Sequence, residues 1–176
     1  QSIMGYSLNF GAPQWMSVAE ALINCVQNKQ VYAEQYNVEL DDNEWPCQHF
    51  PEGLRVDNGG ENTPTQFMSV LNDELGISCV DYCPPARGAA KGTVENILRI
   101  IQSFISNVTG SVEKGRDAGL PHSSQRAIFQ IDDIHRFIIR AISIHNSMHA
   151  RDRLLTVEMA TDDVTPTPSA MWSHLM

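Results

Sequence analysis

The stretch RVDNGGEN, residues 55–62, ends a short apolar run and places Asp57 before an Asn-Gly-Gly sequence and a second acid. A tight turn is one interpretation, because Asn and Gly favour turns. The other interpretation is that LRV (54–56) is a short strand that presents Asp57 as a metal ligand at the end of a sheet. The order of elements in the rest of the sequence helps to decide between these two interpretations.

The residues before this stretch predict a strand, a helix and a connection. IMGYSLNF (3–10) has the pattern of a strand. Ser17 and Glu20 have the spacing of a capping box, which predicts that a helix starts at Ser17. Residues 30–53 show no clear period and predict a connection that contains a short helix.

The residues after the stretch continue the alternation of helices and strands. A helix is predicted from Thr63 to a C-terminal stop at Gly76, and ISCVDYC (77–83) predicts the next strand. Two amphipathic helices follow, one with Leu98 on its apolar side and one with apolar residues from Ile131 to Ile142. This order predicts an α/β fold with parallel neighbouring strands.

The composition limits the possible functions. The 176 residues suffice for one domain, and the formal net charge of -9 argues against a general nucleic-acid coat protein. A local basic strip on an acidic domain remains possible. No apolar run has the length of a membrane span, and the first residues show no signal-peptide pattern.

The four cysteines have two interpretations. Cys47 and His49 together with Cys79 and Cys83 provide four zinc-ligand side chains, but their spacing matches no standard zinc module. Reduced, buried thiols are the favoured interpretation, because the sequence shows no secretory signal.

The first amphipathic helix carries polar residues of interest. Glu95, Arg99 and Gln102 have the spacing i, i+4 and i+7, which places them on one face. A solvated surface pair is one explanation. The other is that Asp57 and Glu95 meet over one end of a sheet and hold Mg²⁺ or Mn²⁺, which prefer oxygen ligands. Arg99, Gln102 and Lys91 would then face a nucleic-acid backbone.

At these residues the chain resembles the DDE transposases and integrases, and within them the bacterial transposon and Mu-phage-like branch. The most specific match is Asp-Asn-Gly at 57–59 together with Lys-Gly-x-x-Glu at 91–95, with 37 intervening residues between Asp57 and Glu95. The matching stretches follow the family order over nearly the whole chain: GYSLNF (5–10), LRVDNGGEN (54–62), YCPPARGAAKGTVENILRIIQSF (82–104), IHNSMHAR (144–151) and PTPSAMW (166–172).

The resemblance implies an RNase H-like (retroviral integrase-like) fold, with a mixed sheet flanked by helices. It implies that Asp57 and Glu95 are the second and third members of an acidic triad that binds two Mg²⁺ or Mn²⁺ ions. The activity implied is two-metal phosphoryl transfer on DNA, namely end cleavage and strand transfer in transposition. The implied DNA-binding residues are Asn58, Lys91, Arg99 and Gln102.

The sequence departs from the family pattern at the first catalytic Asp. In the family this residue lies on the first strand, upstream of the position that Gly5 occupies here. Asp41 and Asp42 are the only aspartates before Asp57, and we interpret them as solvated loop acids. We therefore expect a catalytic core (1–150) that lacks its first two strands, followed by an extension that packs on it (151–176). Such a fragment of a larger transposase is expected to be inactive alone.

The partners implied by the resemblance are transposon-end and target DNA, further copies of the chain and accessory transposition proteins, in a bacterial cytoplasm. Two other functions remain open. One is a degenerate RNase H-like module for DNA binding or assembly without catalysis, and the other is a nuclease without strand transfer. His145 and His149 are spaced i, i+4, but we expect structural roles for them, because no zincin motif surrounds them.

Overall fold

A computed structural model of the chain forms two compact units. The helical unit comprises Gln1–Ser2, Lys29–Pro46 and Val94–Met176, and the sheet unit comprises Ile3–Asn28 and Cys47–Thr93. For Trp15, Val70 and Tyr82 the structure describes the backbone alone. The residues that the structure describes are 2–9, 15–56, 69–77, 79–82, 98–99, 101–103, 129–148 and 152–176.

The sheet unit contains a two-stranded parallel sheet. Strand β1 (Gly53–Val56) pairs with strand β2 (Cys79–Tyr82) in a register that places Leu54 opposite Val80. The strand predicted at 54–56 and the parallel pairing are therefore confirmed. Of the strand predicted at 77–83, residues 79–82 are confirmed, Ile77 lies outside the strand, and residues 78 and 83 are outside the described residues. The RNase H-like arrangement of a larger mixed sheet stays a prediction.

A small apolar core supports this sheet. Helix α1 (Trp15–Val26) contributes Leu22, which is buried together with Leu71 and Ile77. The partly buried residues that pack against these three come from the helix, the turn and both strands: Val18, Leu54, Leu75 and Val80. Burial of apolar surface is thus what holds the core-facing side of the sheet.

A π-helical turn (Val70–Glu74) leads from α1's side of the core into β2. Gly76, two residues after the end of this turn, has a φ of 67°. Glycine adopts this left-handed conformation without the steric cost that a Cβ atom imposes. The Ile77 N–H then donates to the Leu71 carbonyl at 2.8 Å, which closes the turn. The predicted stop at Gly76 is confirmed.

The prediction of a strand at 3–10 is wrong for its described residues, 3–9, which form no regular element. This segment lies against α1 instead. A Cβ atom on Gly5 would lie 2.8 Å from the Ala21 carbonyl oxygen, so only glycine allows this close approach. The Tyr6 N–H donates to the Asn24 side-chain carbonyl at 3.1 Å, a bond to a side chain rather than to a strand partner.

The predicted helix start at Ser17 is also wrong, because α1 begins at Trp15. The Ser17 hydroxyl accepts a hydrogen bond from the Asn9 amide, and the Glu20 carboxylate accepts from Ser7 and Asn9. These side chains hold the N-terminal segment on the helix instead of capping it. A capping-box spacing can therefore occur inside a helix when another segment supplies the donors.

Four helices of the helical unit have both ends within the described residues. They are α2 (Lys29–Glu34), α3 (Ile131–Met148), α4 (Val157–Thr161) and α5 (Pro168–Leu175). The predicted short helix within 30–53 and the helix over 131–142 are confirmed. A 3₁₀ turn at Asp152–Leu154 precedes α4.

Helix α3 organises the helical unit through polar contacts to the segment after α2. Arg136 Nε donates to the Tyr36 carbonyl at 2.7 Å, and Arg140 Nη1 donates to the Glu39 carbonyl at 3.0 Å. The Ser143 hydroxyl donates to the Glu44 carboxylate at 2.9 Å. On the C-terminal side, the Ser169 hydroxyl of α5 donates to the Asn146 carbonyl. The packing of α5 on α3 is thus direct, while the proposed boundary at residue 150 stays a prediction.

The first residue of α2, Lys29, is a buried cation. The side chain of Lys29 is 1% exposed, and its ammonium group lies 5.2 Å from the centroid of the buried Trp45 ring. An ammonium group over an aromatic face is attracted by the ring electrons, so this contact offsets part of the cost of burial.

In the part of the chain that the structure describes, no helix combines the length and the apolar character needed to cross a membrane.

Two isoleucines of α3 provide a matched test of this packing. Ile139 is fully buried, whereas Ile144 is 39% exposed. We expect Ile139→Ala to lower the free energy of unfolding by about 2–5 kcal/mol, because it leaves a cavity in the core. Ile144→Ala makes the same change in helix propensity and should cost less than about 1 kcal/mol. Urea unfolding followed by circular dichroism measures both, and equal losses would contradict the packing described.

Candidate functional site

The carboxyl end of β1 is the point at which the Asp-Asn-Gly motif begins. Strand β1 ends at Val56, opposite Tyr82 of β2, and Asp57 is the next residue along the chain. The carboxyl ends of parallel strands meet at one edge of a sheet, where α/β proteins bind their ligands. Four of the predicted site residues lie outside the described residues: Asp57, Asn58, Lys91 and Glu95.

Arg99 and Gln102 are described, and both are helical and exposed. Their spacing of three residues makes them neighbours on one side of a helix. The prediction that Leu98 lies on the apolar side of this helix is wrong, since Leu98 is 51% exposed. Leu98 precedes Gln102 by four residues, so one helical turn places it on the same exposed side.

The sheet carries an ion pair that the sequence did not single out. Arg55 of β1 and Asp81 of β2 face each other in the register, and Arg55 Nη2 lies 2.8 Å from Asp81 Oδ2. Both residues lie in predicted strands, but which residues face each other depends on the strand register. The sequence pattern did not predict that register.

The carboxylate of Glu20 accepts hydrogen bonds from polar side chains of the N-terminal segment. The Asn9 amide and, second, the Ser7 hydroxyl donate to the Glu20 carboxylate and lower the pKa of Glu20 below its usual range. Hydrogen bonds to the charged form stabilise that form. This cluster therefore has a structural explanation.

A groove of about 570 Å³ lies in the helical unit. Its walls include the carboxylates of Asp41 and Glu44 and the hydroxyl groups of Thr167 and Ser173. Among the described residues that line it there is no lysine or arginine. Its lining therefore does not suit a polyanion such as DNA, and none of the predicted site residues borders it.

The cysteines and histidines form no metal cluster within the described residues. Cys47 is buried, His49 and Cys79 are exposed, and these three do not come together as a set of ligands. Cys83, the fourth member of the zinc alternative, lies outside the described residues, as does His149. His145 is buried in α3, which agrees with the structural role expected for it.

His135 of α3 packs in an aromatic cluster. Its ring stacks on Tyr36 with the centroids 4.3 Å apart, and Nδ1 lies 3.5 Å from the Tyr32 hydroxyl. Burial lowers the pKa of His135, and the nearby Asp132 carboxylate partly opposes this change. The neutral imidazole is thus favoured in the folded protein.

A comparison with protein families shows to which family the chain belongs. The model of the TnsB C-terminal domain family matches residues 1–110, which is more than half of the chain. The chain belongs to the TnsB C-terminal domain family. The matched range contains all six predicted site residues, from Asp57 to Gln102.

A curated relative agrees with this assignment. The transposon Tn7 transposition protein TnsB of Escherichia coli is 26% identical over 173 residues, which are 97% of this chain and 24% of the relative. The chain thus spans about a quarter of the length of this TnsB protein. Together the two matches place the chain in a transposase family.

The lowered pKa of His135 makes a prediction about pH. The unfolded chain binds a proton at His135 more tightly than the folded protein does, so protonation favours unfolding. The stability of the folded protein is therefore complete above the ordinary pKa of about 6.5. It is lost as the pH falls below that value towards the lower pKa of the folded state. We expect His135→Gln to flatten the dependence of unfolding free energy on pH in this window. An NMR titration of His135 with a midpoint at or above the ordinary value would contradict this.

Proposed function

We propose that the chain is part of the catalytic core of a DDE transposase, which cuts and joins DNA by metal-dependent phosphoryl transfer. The observation that carries the proposal is the Asp-Asn-Gly motif directly after β1, at the carboxyl end of a parallel strand pair. Membership of the TnsB C-terminal domain family supports it.

Asp57 and Glu95 are the residues that we expect to hold Mg²⁺ or Mn²⁺. Their carboxylates are the hard oxygen ligands that these ions prefer, so the donor set fits. Bound there, such ions would supply charge stabilisation for the displacement at a DNA phosphate. The protein's part is to hold the two carboxylates at fixed positions, which is why a strand end is a suitable origin for Asp57.

Arg99 and Gln102 are the residues that we expect to contact the DNA backbone. Both are exposed, helical residues that follow Lys91 and Glu95 in the sequence. The guanidinium group of Arg99 matches the geometry of a phosphate, and Gln102 can donate an amide hydrogen bond. Asn58 and Lys91 would add contacts close to the metal ligands.

We further propose transposon-end and target DNA as substrates, and an assembly of several copies with accessory transposition proteins as the working form. The net charge of -9 limits how much DNA affinity this chain supplies. DNA contact is therefore expected along a narrow strip that includes Arg99, rather than over a broad surface.

The first test of this function replaces the two carboxylates. In the complete gene product that contains these residues, we expect Asp57→Asn and Glu95→Gln each to lower Mg²⁺-dependent strand transfer by more than about 100-fold. Metal-assisted stabilisation is worth several kcal/mol, and about 1.4 kcal/mol is tenfold in rate. A strand-transfer assay on the cognate transposon ends measures this loss.

Matched controls are available among the exposed acids. Asp42→Asn and Glu158→Gln make the same chemical changes at exposed positions of the helical unit and should leave the rate within about twofold. Equal activity of the parent, Asp57→Asn and Glu95→Gln would refute catalysis by these residues and favour a DNA-binding or assembly module.

The second test concerns the DNA strip. We expect Arg99→Gln to weaken binding to end DNA several-fold and to lower the slope of log affinity against log salt by about one, because one phosphate contact is lost. Gln102→Ala should weaken binding without changing the slope. Arg153→Gln, which removes an exposed arginine from the 3₁₀ turn, is the control. Fluorescence anisotropy at several salt concentrations measures all three, and an unchanged slope for Arg99→Gln would exclude its phosphate contact.

A further inference from the structure

The exposed face of the β1–β2 pair carries a direct cross-strand contact. Arg55 Nε and Nη2 both donate to Asp81 Oδ2, at 2.9 and 2.8 Å. The two residues are partners in the strand register, so the contact joins residues that lie directly opposite each other. It therefore favours this register.

The core-facing side of the sheet excludes only some registers. Leu54 and Val80 face the core, and exposure alternates along β1. A slip of one residue would turn Leu54 towards solvent, so burial opposes it strongly. A slip of two residues keeps the alternation of buried and exposed positions. Burial alone therefore discriminates poorly against it.

The neighbouring pair on the exposed face adds no side-chain bond. Gly53 lies opposite Cys79, and a Cβ atom on Gly53 would lie 3.2 Å from the Cys79 carbonyl oxygen. Within the described part of this face, the bond between side chains across the strands is the one from Arg55 to Asp81. This ion pair is thus suited to exclude the slip of two residues.

A change of register would also affect Asp57, because Asp57 directly follows β1 in the chain. A slip of two residues would move the carboxyl end of β1 by about 6.6 Å relative to β2, at about 3.3 Å per residue. Catalysis is far more sensitive than this, since a misplacement of about 1 Å can cost about 100-fold in rate. We propose that Arg55 and Asp81 are positioning residues of the DNA-joining site, which fix the strand register that aims Asp57. This inference rests on the proposed function.

A direct DNA contact by Arg55 is the competing explanation. The Arg55 side chain is 64% exposed, but Asp81 balances its charge, and a phosphate at that place would also face the Asp81 carboxylate. An exposed ion pair contributes little to global stability, so its loss should leave the fold intact. The geometry therefore favours a role in register over a role in DNA binding.

A charge reversal tests the proposal. In the complete gene product, the strand-transfer rate at saturating end DNA and the KM for that DNA are measured for Arg55→Gln, Asp81→Asn and the double variant Arg55→Asp with Asp81→Arg. We expect each single variant to lower kcat by a few-fold, up to about fivefold, with little change in KM, because an exposed ion pair favours one register only weakly. The double variant restores the pair in reverse and should recover most of kcat.

The other outcomes would overturn the proposal. A double variant as slow as Arg55→Gln, with a raised KM, would make Arg55 a DNA contact. Single variants with the parent's kcat would show that the ion pair does not position the site. Thermal unfolding of each variant within a few degrees of the parent shows that loss of rate is not loss of fold, and Arg153→Gln controls for removal of an arginine.

The same assay separates this inference from the proposed function. If Asp57→Asn abolishes strand transfer while Arg55→Gln leaves kcat intact, the proposed function stands and the positioning role fails. If Asp57→Asn retains full activity, the proposed function itself fails, and with it the reason to fix the register.

Discussion

The register between β1 and β2 is the constraint on which the account of this site depends. Burial of Leu54 and Val80 against the core sets which face of the sheet points inward, and the Arg55–Asp81 ion pair joins the opposite face. Both contacts belong to the register that places Val56, the residue before Asp57, opposite Tyr82. The place at which β1 ends therefore depends on apolar packing and one polar contact, although each interaction alone is modest.

Local sequence patterns predicted those elements whose cause is local. The strands at 54–56 and 77–83 were predicted from short apolar runs bounded by turn residues, and Gly76 from its role in ending a helix. The segment 3–9 has the composition of a strand, yet it lies against α1 because Gly5 permits a close approach there. This position arises from packing between segments that are distant in the sequence, and the hydrophobic periodicity of one segment does not predict such packing.

The site shows the same division between local and distant causes. The exposed positions of Arg99 and Gln102 followed from helical spacing, whereas the exposure of Leu98 did not agree with the apolar side assigned to it. The pairing of Arg55 with Asp81 was beyond prediction, because it joins residues 26 positions apart through a register that only the folded sheet defines. The motif predicted a site directly after β1, and the structure adds the cross-strand ion pair beside that strand end.

The central proposal is that Asp57 and Glu95 are ligands of the same divalent metal site. Crystals of the complete gene product with its end DNA, soaked in Mn²⁺, allow this to be measured by anomalous diffraction. The account predicts manganese within direct coordination distance of both carboxylates, about 2–2.5 Å, at the carboxyl end of β1. Manganese held by other residues, with Asp57 and Glu95 apart from it, would contradict the account.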